Sequence, residues 1–204
     1  MSGSELVLAT GNAGKVAEIG ALLAEVSVTV VAQTALQVPE ADETGTTFVE
    51  NAVIKARNAC AKTNRPALAD DSGLVVPALA GAPGVYSARY AGNTASDEDN
   101  YRKLLGALAG DALMSREAYF CCVMVFMRSV ADPTPLICQG QWHGHIAQAP
   151  SGDGGFGYDP VFVPEGEHRC AAQLTRDEKN AVSHRARALH ALKPQLVSYF
   201  GDSD

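Results

Sequence analysis

At 204 residues, 47% of them hydrophobic, the chain can bury a full core, and its length favours one domain spanning residues 1–204, with at most two lobes. Its formal net charge of -7 disfavours nonspecific binding to nucleic acid, so no nucleic-acid partner is expected. No stretch approaches the roughly 18 consecutive apolar residues of a membrane helix, and the start, MSGSELVLAT, has no basic region followed by an apolar one; no membrane partner and a cytoplasmic location are expected. The charge is uneven. Residues 169–193 carry Arg169, Arg176, Lys179, Arg185, Arg187 and Lys193 against Asp177 and Glu178, a local +4 on a protein whose remainder carries -11. Such a segment suits a small polyanion better than a long one. The five cysteines (Cys60, Cys121, Cys122, Cys138, Cys170) form no CxxC pair and are odd in number, so reduced and mostly buried thiols are expected, not disulfides or a zinc ribbon.

In chain order, Glu5 to Ala9 is a short apolar run that suits a buried first strand. Thr10-Gly11-Asn12-Ala13-Gly14-Lys15 breaks it, and Val16, Ile19, Leu22, Leu23 and Val26 follow at helical spacing. The hexapeptide is therefore a strand-to-helix loop, which offers backbone N–H groups and the Lys15 charge to a phosphate. Its spacing is neither a Walker loop nor GxGxxG, and alone it is equally well an ordinary connection. Ser27 to Ala32 reads as a β-branched strand and Pro39 to Gly45 as an acidic loop. Phe48 to Lys62 has helical periodicity that sets Asn51 and Lys55 one turn apart on one face.

The segment Leu68 to Arg89 (LADDSGLVVPALAGAPGVYSAR) is the centre of the pattern. Adjacent acids between apolar runs are costly in a core unless paired or bound to a metal. The Asp70-Asp71-Ser72-Gly73 chemistry is that of a turn presenting carboxylates at a strand end, where ligands of α/β proteins sit. Neighbouring strand residues face opposite ways, so Asp70 and Asp71 are expected to do different jobs.

Further on, Ser96 and Asp99 have capping-box spacing at the start of a helix. Glu117 to Met127 reads as a buried strand, with Leu136 to Trp142 as its antiparallel neighbour. His143 and His145 lack a third ligand and are expected at the surface or in structural roles. Ser151 to Gly157 (SGDGGFG) is glycine-dense, which suits close backbone approach to a ligand with Phe156 stacking on a planar ring, or equally a hairpin loop. Thr175 and Glu178 open a last helical run. Lys179, His184 and Arg185 converge only if that helix breaks and Ser183 starts a new one.

Six segments occur in order: ATGNAGK (Ala9 to Lys15), FVENAVIKA (Phe48 to Ala56), ADDSGL (Ala69 to Leu74), GAPGVYSARYAG (Gly81 to Gly92), FGYDPVFVP (Phe156 to Pro164) and EKNAVSHRARAL (Glu178 to Leu189). Together they resemble the inosine/xanthosine triphosphate pyrophosphatase family over nearly the whole chain. The resemblance implies an α/β fold, a mixed elongated sheet with flanking helices forming two lobes around a central cleft, and a homodimer. It implies Mg2+-dependent hydrolysis of deaminated purine nucleoside triphosphates (ITP, dITP, XTP) to the monophosphate and pyrophosphate. By the same resemblance Asp71 is the catalytic carboxylate and a metal ligand. Thr10, Gly11, Asn12, Ala13, Gly14, Lys15, Ser72, Phe156, Gly157, Tyr158, Asp159, Lys179, His184 and Arg185 are then the substrate-binding positions. Glu43 fits the second metal-binding carboxylate, with Glu40 and Glu50 as competing positions. Donors on His184 or Arg185 would meet the six-carbonyl of hypoxanthine or xanthine. Pyrophosphatases of modified pyrimidines and a nucleotide sensor without turnover are the alternatives; against the sensor, paired aspartates give a pure anion binder little.

Overall fold

The computed structural model describes residues 5–23, 26, 28–110 and 113–201. Six strands form one mixed sheet: β1 (Glu5–Leu8), β2 (Thr29–Ala32), β3 (Ala67–Val75), β4 (Glu117–Met127), β5 (Leu136–Ile146) and β6 (Phe162–Pro164), in the order β2-β1-β3-β4-β5-β6. The pairs β1/β2 and β1/β3 are parallel, and β5/β6 is antiparallel. Among the described residues five α-helices accompany the sheet: α1 (Ala13–Leu22), α2 (Phe48–Thr63), α3 (Asp97–Ala109), α4 (Arg176–Val182) and α5 (His184–Gly201). This is the expected mixed α/β fold. The expected start of the second strand, Ser27, lies outside the described residues.

The chain divides into two compact units. The first, residues 1–71, 122–140 and 185–204, packs Leu6 and Leu8 of β1 with Ile19 of α1, Leu68 of β3, Met124 and Phe126 of β4, and Leu189, Leu192 and Leu196 of α5. Alternate residues of a strand and the i, i+3, i+7 positions of a helix make this one apolar mass. The second unit, residues 72–121 and 141–184, packs Leu74 and Val76 with Leu104, Phe120, Trp142, Tyr158 and Phe162. Phe120 and Phe162 meet edge to face at 4.8 Å.

Local chemistry places the helix starts. Asn12 caps α1 by accepting the Lys15 N–H at 3.0 Å, and Thr47/Glu50, Ser96/Asp99 and Thr175/Glu178 form capping boxes on α2, α3 and α4. The last helical run does break: α4 stops at Val182, Ser183 is extended, and α5 starts at His184. The turn expected at Asp70 to Gly73 is not found. β3 runs unbroken from Ala67 to Val75, because cations meet the buried carboxylates from neighbouring helices and remove the reason for the chain to turn them outward. The fifth strand is longer than the sequence reading, continuing through His143 and His145, both exposed. All five cysteines are free thiols, four of them buried. No helix among the described residues is long and apolar enough to cross a membrane.

Candidate active site

In the first unit, the paired aspartates divide their partners as the alternation of a strand requires. Asp70, 0% exposed, receives the Lys15 ammonium at 2.9 Å and the Arg185 guanidinium at 3.5 Å. Arg185, 1% exposed, also binds Glu18 of α1. Lys15 and Glu18 lie one turn apart on α1, so two cations and two carboxylates close a ring across α1, β3 and α5. Burial would raise the Asp70 pKa, but Lys15, Arg185 and Lys55 outweigh it and hold the carboxyl below the ordinary carboxylate range.

Asp71 has a separate set of partners. Its Oδ1 accepts Lys55 Nζ at 2.9 Å and its Oδ2 accepts Asn51 Nδ2 at 3.3 Å. The same ammonium reaches Glu43 Oε1 at 2.9 Å. Burial pushes the Asp71 carboxyl above its usual value against the pull of Lys55. Lys55 is itself raised: desolvation is outweighed by Asp71, Asp70 and Glu43.

The three candidate glutamates differ in their partners. Glu50 is spent on the cap of α2, accepting the Thr46 and Thr47 N–H groups at 2.8 and 2.9 Å, and Glu40 is exposed beside Gly11. Only Glu43 of the three converges with Asp71 on one cation. Gly45 makes this possible: a Cβ there would stand 2.5 Å from Glu50 Cβ and 3.1 Å from the Asn51 backbone nitrogen. Gly45→Ala is expected to cost about 1–3 kcal/mol, read as a lower thermal midpoint; an unchanged midpoint would show that the 43–45 loop can move aside.

Thr10 to Lys15 forms the expected connection between β1 and α1. Thr10 Oγ1 accepts the Asn12 N–H at 3.2 Å, Gly11, Asn12 and Ala13 are exposed, and Gly14 is half-buried. Their exposed backbone at a helix N-terminus is the local arrangement that holds phosphate oxygens.

The second unit holds the other predicted residues, with Ser72 half-buried on β3. Asp159 Oδ2 accepts the Phe156 N–H at 2.9 Å and Lys179 Nζ at 2.6 Å. The ammonium stands 4.8 Å from the Phe156 ring centroid, so one carboxylate fixes both the aromatic and the cation over its face. Gly155 has φ +72°, and a Cβ there would collide with the Asp159 carboxylate. Gly157 donates its N–H to Asp97 at 2.7 Å, and the Tyr158 hydroxyl donates to the Ser87 carbonyl at 2.8 Å. His184 lies buried and stacked on Phe120, centroids 4.8 Å apart and planes 12° from parallel.

A family model described as the Ham1 family matches residues 6–195. The chain belongs to the Ham1 family. It is 58% identical over 201 residues to a dITP/XTP pyrophosphatase of Idiomarina loihiensis, covering 97% of this chain and 100% of that one. A dITP/XTP pyrophosphatase of Yersinia pseudotuberculosis is 58% identical over 192 residues, 94% of this chain and 98% of the relative. Among solved structures, a HAM1 protein from Coxiella burnetii superposes with a TM-score of 0.89 at 50% identity, covering 96% of this chain and 99% of that one.

For a Ham1-family chain, the donors suit a hard divalent ion. Glu43 and Asp71 are brought together by the Lys55 ammonium, 2.9 Å from each, and a pair of carboxylates that leaves room for water and phosphate oxygens is the set Mg2+ takes. No group of three or more His, Cys, Asp or Glu side chains that could hold a metal occurs among the described residues, so such an ion would rely on non-protein oxygens for the rest of its shell. Three residues tied into these groups escaped the sequence reading: Glu18, Ser87 and Asp97. Only Glu18 carried a signal, its i, i+3 spacing from Lys15.

Proposed function

We propose that this protein is a nucleoside-triphosphate pyrophosphatase that hydrolyses deaminated purine nucleotides (ITP, dITP, XTP) to the monophosphate and pyrophosphate, keeping them out of DNA and RNA. The observation that carries the reading is the pairing of Glu43 and Asp71 on the Lys55 ammonium in a Ham1-family chain. Curated relatives named dITP/XTP pyrophosphatase supply the substrate class.

Charge balance says what the reaction requires. The first unit's network sets Lys15, Lys55 and Arg185 against Glu18, Glu43, Asp70 and Asp71, a net single negative charge, whereas a triphosphate tail brings nearly four more. Glu43 and Asp71 would hold Mg2+, which supplies a hard positive centre to neutralise phosphate oxygens. The exposed backbone from Gly11 to Ala13 and the Lys15 ammonium orient the phosphates. Asp71 is assigned to accept a proton from the water that attacks the α-phosphorus. Lys55 then offsets charge as the pyrophosphate leaves.

In the second unit, the Phe156 face, fixed through Asp159, is assigned to stacking on the purine. The base-reading donor is assigned to His184, because both terminal nitrogens of Arg185 point at carboxylates. A six-carbonyl accepts from such a donor; adenine's amino group sets donor against donor, at about 1–3 kcal/mol.

The test is an assay of purified protein with Mg2+ and a panel of triphosphates, separating pyrophosphate from orthophosphate. Pyrophosphate from ITP, dITP and XTP should exceed that from ATP by at least about tenfold. Release from dTTP or UTP analogues with none from ITP would overturn the assignment.

A further inference from the structure

Asn51 binds one member of the proposed metal pair, Asp71, and the backbone two residues beyond the other, at Gly45. It is 0% exposed on α2. Its Oδ1 accepts the Gly45 N–H at 2.8 Å, and its Nδ2 donates to Asp71 Oδ2 at 3.3 Å. The amide orientation is fixed by this pairing: a backbone N–H can only donate, so the oxygen must face Gly45 and the amino group must face Asp71.

One turn later on the same face, Lys55 takes Asp71 Oδ1 and Glu43 Oε1. Both oxygens of Asp71 are thus held by donors from one helix face. The loop carrying Glu43 is tied to that face two residues downstream, at Gly45. Because Gly45 packs against the Asn51 backbone with no room for a Cβ, the loop cannot drift without breaking the Asn51 bond. The spacing of the two carboxylates is therefore set by α2.

We propose that Asn51 is a positioning residue which fixes the separation and orientation of Glu43 and Asp71 as a divalent-cation site. The proposal rests on the metal-dependent reading above and assigns Asn51 no contact with substrate. Partners behind a ligand that fix its orientation typically change metal affinity or activity by about 10- to 100-fold when removed. Asn58, on the same helix, donates to the Pro39 carbonyl at 2.9 Å. It ties the acidic loop to α2 away from the carboxylates and serves as the control for general loosening of that loop.

The experiment measures Mn2+ binding to the substrate-free protein by the loss of the free-ion paramagnetic resonance signal, together with kcat and KM for ITP at saturating Mg2+. Asn51→Ala should weaken Mn2+ binding by about tenfold or more and lower kcat by a similar factor, with KM changed less than about threefold. Asn58→Ala should leave all three near wild type. Asn51→Asp, nearly isosteric, keeps the acceptor for Gly45 but removes the donor to Asp71; it is the variant to use if the alanine form fails to fold, and its kcat should fall by at least about tenfold. Mn2+ binding and kcat within twofold of wild type in a folded Asn51 variant would overturn the proposal, as would wild-type protein that binds no Mn2+. A wild type that binds Mn2+ but releases no pyrophosphate from ITP, dITP or XTP would instead sink the functional reading, with the Mn2+ comparison still deciding the role of Asn51.

Discussion

Asp71→Asn is expected to fold normally and to lose at least about 100-fold in kcat, the scale of a removed general base. The two outcomes have one cause. Asp71 is a buried carboxyl whose charged form is disfavoured by desolvation, so a neutral isostere removes a cost that offsets the amide nitrogen it sets against Asn51 Nδ2 or Lys55, and the β3 backbone is undisturbed. Lys55 keeps Glu43 as a counter-ion at 2.9 Å, so no buried cation is stranded. Chemistry has no such reserve, since an amide neither accepts a proton at neutral pH nor offers a charged oxygen to a divalent ion. Thermal unfolding and pyrophosphate release from ITP read the two quantities separately. Wild-type turnover in the variant would remove Asp71 from the reaction.

Asp70→Ala should do the opposite, damaging stability first. Asp70 is the carboxylate on which Lys15 and Arg185 both rest, and Arg185 has almost no exposure. Removing one partner of a buried charge network leaves an uncompensated charge at about 3–5 kcal/mol, which for a chain of this size is roughly 10 °C or more in the thermal midpoint. Acid should reproduce part of that loss in the wild type. The folded pKa of Asp70 is depressed by Lys15 and Arg185. Its contribution is therefore complete above the unfolded value of about 3.9, and falls away as pH drops from there through the lower folded value. Thermal midpoints of wild type and Asp70→Asn should converge as pH falls below about 4; parallel curves across that range would contradict the ion-pair account.

The contrast between neighbours shows how little of a role lies in residue type. Two aspartates adjacent in sequence, on one strand, differ because alternation turns Asp70 toward α1 and α5 and Asp71 toward α2. That they would differ was readable from the strand pattern. Their actual partners were not, because Lys15, Arg185, Asn51 and Lys55 come from segments up to 115 residues away.

Local signals carried the starts of α3 and α4, since a cap and its N3 partner lie three residues apart and need nothing distant. They carried the break at Ser183 for the same reason. The order of six short segments carried the family, and so the fold class. What failed was the turn at Asp70 to Gly73. A turn is the local solution for polar residues between apolar runs, but a strand is the better one when distant helices bring cations to meet the carboxylates.

Sequence alone therefore determined the capping boxes at Ser96 and Thr175, the break at Ser183 and the family, because each depends on neighbours in the chain. Tertiary structure alone decided that Glu43 and neither Glu40 nor Glu50 joins Asp71, that Arg185 is held by Glu18 and Asp70, and that Asn51 ties loop to strand. The physical reason is that charge pairing and amide orientation act through space over a few ångströms, and only the packing of helices against the sheet sets which side chains come that close.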